Sequence, residues 1–244
     1  MERQDFVNDK LSLIQETNGL TFGTDALLLA GYIGGKYKRG CEFGSGSGII
    51  SMLLITREKI SSVVALEVQK EYAGLTRRNA ELNRLDDRIE TVHTDIRDYK
   101  PQREFDIIYS NPPYMKTSSG KENVSEKKNI ARHEVCGDIY DFCNSASRML
   151  KFGGCFTAVY RPDRLIDLID AMRRSKIEPK RITLVYADCN SEPSMALVEG
   201  KAGGKCGLLM TKPLIIYADK THRSYSDDMN FIMENGSFPS EFKR

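Results

Sequence analysis

Cys41-Glu42-Phe43-Gly44-Ser45-Gly46-Ser47-Gly48-Ile49-Ile50-Ser51-Met52-Leu53-Leu54 decides the fold of this 244-residue chain. Its first three residues close a short strand, and Gly48 to Leu54 open a helix. The glycines between them permit a tight turn and a close approach of the backbone to a ligand. The spacing is G-x-G-x-G with an acid two residues ahead. A dinucleotide fingerprint, G-x-G-x-x-G, would need glycine where Ile49 stands. A pyrophosphate also favours a helix N-terminus with no carboxylate beside it. A cationic ligand tolerates Glu42. A glycine cluster alone makes nothing more than a turn, so the flanking strands have to decide.

Outward from this stretch the chain alternates strands and helices, the rhythm of a parallel sheet covered on both faces. Strands are expected at 62–66, 89–93, 105–109, 155–160 and 182–186, with 208–210 and 214–217 as a closing hairpin at a sheet edge. Helices are expected at 69–83, with Tyr72, Ala73, Leu75, Ala80 and Leu82 as apolar positions, at 139–150 before the stop Gly153-Gly154, and at 164–174 behind Pro162. The fold class is α/β: a doubly wound, Rossmann-like, mostly parallel seven-stranded sheet with an antiparallel edge strand and helices on both faces. One domain is expected over 1–244. It carries an extension at 1–38, in which Thr24 caps an apolar helix, a polar loop at 115–137, and a tail at 219–244 with a helix near 225–233 and a fraying end.

Strand order makes the acids informative. Glu67 ends the second strand, where it can accept hydrogen bonds from both hydroxyls of a ribose. Asp95, with Ile96 beside it, follows the third strand, where it can accept from an adenine amino group. Either acid alone would read as solvated. Together with Glu42, Gly44, Gly46 and Gly48 they line one crevice at the strands' carboxyl ends. The ligand that fits is S-adenosyl-L-methionine. The six cysteines form no C-x-x-C pair, so no metal site is expected, and reduced thiols point to the cytoplasm. No apolar run approaches the roughly 20 residues of a membrane span, and the polar start reads against a secretory signal. A net charge of +2 leaves a nucleic-acid partner open.

Asn111-Pro112-Pro113-Tyr114 follows the fourth strand. The prolines stiffen the backbone and push Asn111 toward extended geometry. The Asn111 side-chain oxygen and the Pro112 carbonyl can hold both N–H groups of a planar amine, and Tyr114 can stack on its ring. With a methyl donor alongside, this is an N-methylation site that works by positioning. A base in a helical region would have to leave its stack to reach it. Without the crevice, the same four residues would be a Pro-rich turn.

These residues resemble class I S-adenosylmethionine-dependent methyltransferases of the amino-methylating branch. More closely, the chain is similar to the bacterial tRNA1(Val) adenine-N6-methyltransferase family. The likeness rests on Phe22-Gly23-Thr24-Asp25-Ala26-Leu27-Leu28-Leu29, the glycine turn, Ala65-Leu66-Glu67, the run from Asp106 to Tyr114, Ala131-Arg132-His133-Glu134 and Arg161-Pro162-Asp163-Arg164-Leu165. It implies methylation of the purine 3′ of the anticodon. It also implies that Thr24 and Asp25 close over the methionine end of the donor, and that Lys116, Arg132 and His133 belong to a loop over the target base. Oligomeric state is open, a monomer included. The alternatives are a ribosomal RNA target, a protein-glutamine N5-methyltransferase (whose helical recognition domain about forty residues hardly accommodate), a non-catalytic RNA-binding protein on this fold, and an NAD oxidoreductase, which Ile49 disfavours.

Overall fold

The structure, a computed structural model, describes residues 2–8, 11–16, 23–112 and 137–243. Pro113, Tyr114, Lys116, Arg132, His133 and all but the last residue of the expected 115–137 loop lie outside the described residues. In chain order the elements are β1 (Glu2–Asn8), β2 (Leu11–Glu16), α1 (Thr24–Tyr32), β3 (Tyr37–Phe43), α2 (Ile49–Thr56), β4 (Ile60–Glu67), α3 (Lys70–Leu82), β5 (Ile89–His93), β6 (Phe105–Ser110), α4 (Ile139–Met149) and β7 (Leu150–Tyr160). A 3-10 turn at Pro162–Arg164 leads into α5 (Leu165–Arg174), followed by β8 (Ile177–Tyr186), β9 (Pro193–Ala202), β10 (Leu209–Met210), β11 (Leu214–Ile215) and α6 (Asp227–Asn235).

The central sheet runs β10-β8-β9-β7-β6-β3-β4-β5, with β11 also paired to β8. From β5 through β7 every pairing is parallel. The apolar residues alternate between faces, as a sheet covered on both sides requires. Val63, Ala65, Ile107, Tyr109, Val159 and Leu197 face α1 and α2, while Val64, Leu66, Ile108, Phe156, Ala158 and Val198 face α4 and α5.

Three expectations need correction here. The antiparallel strand is not at the edge: β9 lies between β7 and β8 and runs against both. Its residues, 193–202, were not expected as a strand because proline opens them and Gly200 interrupts them. Pro193 is the first residue of β9, a strand position proline tolerates. At Gly200 a Cβ would lie 2.1 Å from the flexible end of Met172 of α5, 2.9 Å from Ile177 Cγ2 and 3.1 Å from the Glu178 carbonyl, so a side chain there would crowd the start of β8 as well as α5. Second, the described sheet has nine strands, and β10 and β11 form no hairpin, because each pairs parallel with β8. Gly153 and Gly154 accordingly sit inside β7 rather than after a helix. Third, the tail does not fray where it is described: Phe238 and Phe242 are fully buried, and Phe238 packs edge-on against Tyr32 at 5.3 Å.

The hairpin of β1 and β2 was not foreseen either. Its stability comes from α3. Asn79 and Asn83 are one turn apart, and their side chains pair with β2's backbone as a neighbouring strand would. Ile14 N–H donates to Asn79 Oδ1 (2.7 Å) and Ser12 N–H to Asn83 Oδ1 (2.9 Å), while the two amide nitrogens donate back to the same residues' carbonyls.

Candidate active site

Sheet register brings the site together. Phe43 pairs with Leu66 on one side and Ser110 on the other, and Glu67 pairs with His93. Gly44 and Asn111 are therefore neighbours just past their paired residues, with Glu67 at the same carboxyl edge.

The glycine turn is fastened by side chains from the next β-α unit. Glu67 Oε2 accepts from Gly46 N–H (3.0 Å), Thr76 Oγ1 donates to the Gly46 carbonyl (2.9 Å), and Asn79 Nδ2 donates to the Ser47 carbonyl (2.9 Å). The glycines do different work. A Cβ on Gly48 would press to 2.9 Å from Thr76 Cγ2, so this glycine serves packing. Gly44, at φ +70°, has open space where a side chain would project, so it leaves room for a ligand. Thr76 and Asn79 escaped the sequence reading, which sought only apolar positions on α3. Their signal was polarity at i, i+3 on a face shared with Ala80.

Glu42 departs from expectation. It is 1% exposed and faces Ser51, whose hydroxyl and N–H both donate to its Oε2, and Ser51 Oγ in turn lies 2.8 Å from the Tyr109 hydroxyl. The carboxyl is thus beneath the turn, where it holds the start of α2, and not on the crevice. Burial pushes it up to about 8 from its ordinary 4.5. The folded value exceeds the unfolded one, so the stability Glu42 contributes is complete below about pH 4.5 and is lost as pH rises through about 8. Each unit of this shift is about 1.4 kcal/mol. Glu42→Gln, which mimics the protonated form, should match the wild type in melting temperature at about pH 4.5 and exceed it by a margin that grows as pH rises to about 8. Melting curves across that range check this, and parallel pH dependences would refute it.

Glu67 is 5% exposed, and its carboxylate accepts from Gly46 and Gln69 N–H groups. A carboxylate offers about four lone-pair sites, and with the Val68 backbone also engaging it, capacity for a ribose hydroxyl remains. Asp95 is engaged by Arg97 through its backbone N–H (2.8 Å) and guanidinium (3.0 Å), which holds the carboxyl below its usual range. An adenine amino group would therefore compete with Arg97. The Ile96 side chain belongs to the core on the α4–α5 face, not to an open surface.

Asn111 carries the most informative atom of the site. Its Nδ2 donates to Asp25 Oδ2 at 2.7 Å. Its Oδ1 is buried and has no hydrogen-bond partner among the described residues. Such an acceptor costs about 1–3 kcal/mol to keep unpaired, a cost that a bound donor recovers. Pro112 beside it is buried. Thr24 does not cap α1; it is the first helical residue, Gly23 is the cap, and no side chain bonds there. Thr24 and Asp25 line a cavity of about 260 Å³ together with Arg161, Ser194 and Met195. Arg161, Ser194 and Met195 had no assigned part in the crevice, and two of them became visible only with β9.

The sequence matches the methyltransferase small domain family over residues 18–163. A Bacteroides fragilis protein named tRNA1(Val) (adenine(37)-N6)-methyltransferase is 30% identical over 180 residues, covering 72% of this chain and 75% of that protein. A protein of the same name from a Flavobacteriaceae bacterium is 25% identical over 219 residues, covering 89% and 91%. Among solved structures, one from Agrobacterium tumefaciens described as a predicted O-methyltransferase superposes with TM-score 0.71 at 23% identity, over 88% of this chain and 98% of that one. TYW2 of P. horikoshii in complex with MeSAdo superposes with TM-score 0.59 at 13% identity, over 83% and 72%. Both share the fold. No helix among the described residues is long and apolar enough to cross a membrane.

Proposed function

The chain belongs to the methyltransferase small domain family, and from that premise we propose that it transfers a methyl group from S-adenosylmethionine to N6 of an adenine in tRNA, at position 37 of tRNA1(Val) as in the relatives' names. The observation that carries the reading is the buried Asn111 Oδ1, without a hydrogen-bond partner among the described residues, one residue past β6 and beside the open turn at Gly44.

The residues present fit the donor. Gly44 leaves space above the turn, and Glu67 retains acceptor capacity for a ribose. When bound, S-adenosylmethionine supplies a methyl carbon made electrophilic by a sulfonium. What the chain must do is hold the amine. An exocyclic amine conjugated with a purine is a weak nucleophile. Asn111 Oδ1 and the Pro112 carbonyl accept its two N–H groups, favour a pyramidal nitrogen and aim the lone pair. Tyr114 stacks on the base, a contact worth about 1–3 kcal/mol. The nitrogen sheds its proton after transfer, so no strong base is required, and positioning supplies the acceleration.

Incubation with labelled donor and separate pools of tRNA, ribosomal RNA, DNA and release factors tests the reading. Label should appear in tRNA and be recovered as N6-methyladenosine after nuclease digestion. Label confined to protein or to ribosomal RNA would overturn it.

A further inference from the structure

We propose that Asp25 is a positioning residue of the transfer reaction: its carboxylate holds the Asn111 side-chain NH2 and thereby turns the amide oxygen toward the amine to be methylated. This assigns Asp25 a task different from the donor-closing one that resemblance implied, and it rests on the reading that Asn111 grips an amine.

Four observations support it. A carboxylate only accepts hydrogen bonds, so the group of Asn111 that faces Asp25 Oδ2 at 2.7 Å has to be the NH2. That leaves Oδ1 on the other side, where it has no partner among the described residues. The second carboxylate oxygen, Oδ1, accepts from Ala26 N–H at 2.9 Å, in the first turn of α1, where a negative charge is favoured by the helix dipole. Lastly, the backbone makes room for the carboxylate: a Cβ on residue 23 would sit 2.6 Å from Asp25 Oδ1, and the residue there is glycine.

The chemistry gains in two ways. A fixed amide loses no rotamer freedom when substrate arrives. Its oxygen is also a stronger acceptor, because a neighbouring negative charge polarises the amide. As the amine lone pair forms the new N–C bond, the electrons of the breaking C–S bond return to sulfur, and the nitrogen carries positive charge until it releases a proton to solvent. Asp25 places a negative charge one amide away from that nitrogen in advance.

The test compares Asp25→Asn, which can still accept from Asn111 through a neutral oxygen, with Asp25→Ala, which cannot. Three readouts are needed: kcat on tRNA, calorimetric affinity for sinefungin, and the Asn111 side-chain NH2 resonances in 15N-labelled protein. The expected result is a kcat lowered about 10–100-fold in Asp25→Ala, the range seen when an outer partner of a reacting group is lost. Asp25→Asn should fall between Asp25→Ala and wild type. Sinefungin affinity should stay unchanged, and the Asn111 resonances should shift in both variants. Should sinefungin affinity fall in step with kcat, Asp25 binds the donor and the proposal is wrong. Unmoved Asn111 resonances would overturn it as well. Resonances and sinefungin binding need no substrate, so they decide the role of Asp25 even if the wild-type protein leaves tRNA unlabelled, a result that would count against the functional reading alone.

Discussion

Asn111→Ala should lower kcat for tRNA methylation by about 10²–10³-fold, the effect of removing one preorganised hydrogen-bonding group from a reacting centre, while affinity for sinefungin is retained. Alanine removes an acceptor that has no partner among the described residues and would leave the Pro112 carbonyl to hold the amine by a single N–H. Nothing that fastens the glycine turn depends on Asn111: Glu67, Thr76 and Asn79 do that work from β4 and α3. The loss should therefore appear in the chemical step. Single-turnover rates at saturating tRNA, set beside calorimetric titration with sinefungin, separate the two. A collapse of sinefungin affinity at unchanged single-turnover rate would mean that Asn111 serves the donor.

The second large effect is on stability. Arg181 of β8 is buried and lies over the Tyr32 ring with its Cζ 3.8 Å from the ring centre. It donates to the carbonyls of Phe242 (2.9 Å) and Tyr32 (2.8 Å) and pairs with Glu199 of β9 at 2.8 Å. One guanidinium thus joins α1, two strands and the tail. Arg181→Met keeps the volume but strands two carbonyls and a carboxylate. Breaking a buried pair from one side costs about 3–5 kcal/mol. At roughly 2–4 °C per kcal/mol for a domain of this size, the melting temperature should drop by about 6–20 °C. Glu199→Gln should cost less, because both carbonyls keep their donor and the glutamine oxygen can still accept from Arg181, although the buried guanidinium loses its counter-ion. Similar melting temperatures for the two variants would contradict this account.

What sequence reveals and what it hides divide along a physical line. β4 and β6 were legible because strands buried on both faces are short apolar runs bounded by turn residues, and β5, at the sheet edge, because β-branched residues stand between turn residues. That Gly44, Glu67 and Asn111 come together at one sheet edge was legible, because each directly follows or closes a parallel strand of this fold. β9 was not, because proline opens it and Gly200 interrupts it, and the space Gly200 occupies against Ile177 and Glu178 of β8 is set by pairing between strands. The hairpin of β1 and β2 was hidden because two asparagine side chains, rather than a strand, complete its edge. Glu42 was placed at the right turn with the wrong orientation: its position is set by the turn, but its direction is set by Ser51 and Tyr109 on other elements. Asp25 needed the structure, since its partner Asn111 lies 86 residues away.

Asn79 spends one N–H on the carbonyl of Ile14 and the other on that of Ser47. A single amide therefore belongs at once to the docked hairpin and to the glycine turn. Linkage of this kind is reciprocal, with the same free energy read from either end. Whatever steadies the turn steadies the hairpin of β1 and β2, and a molecule that gripped that hairpin would act on the glycine turn as an effector without touching it.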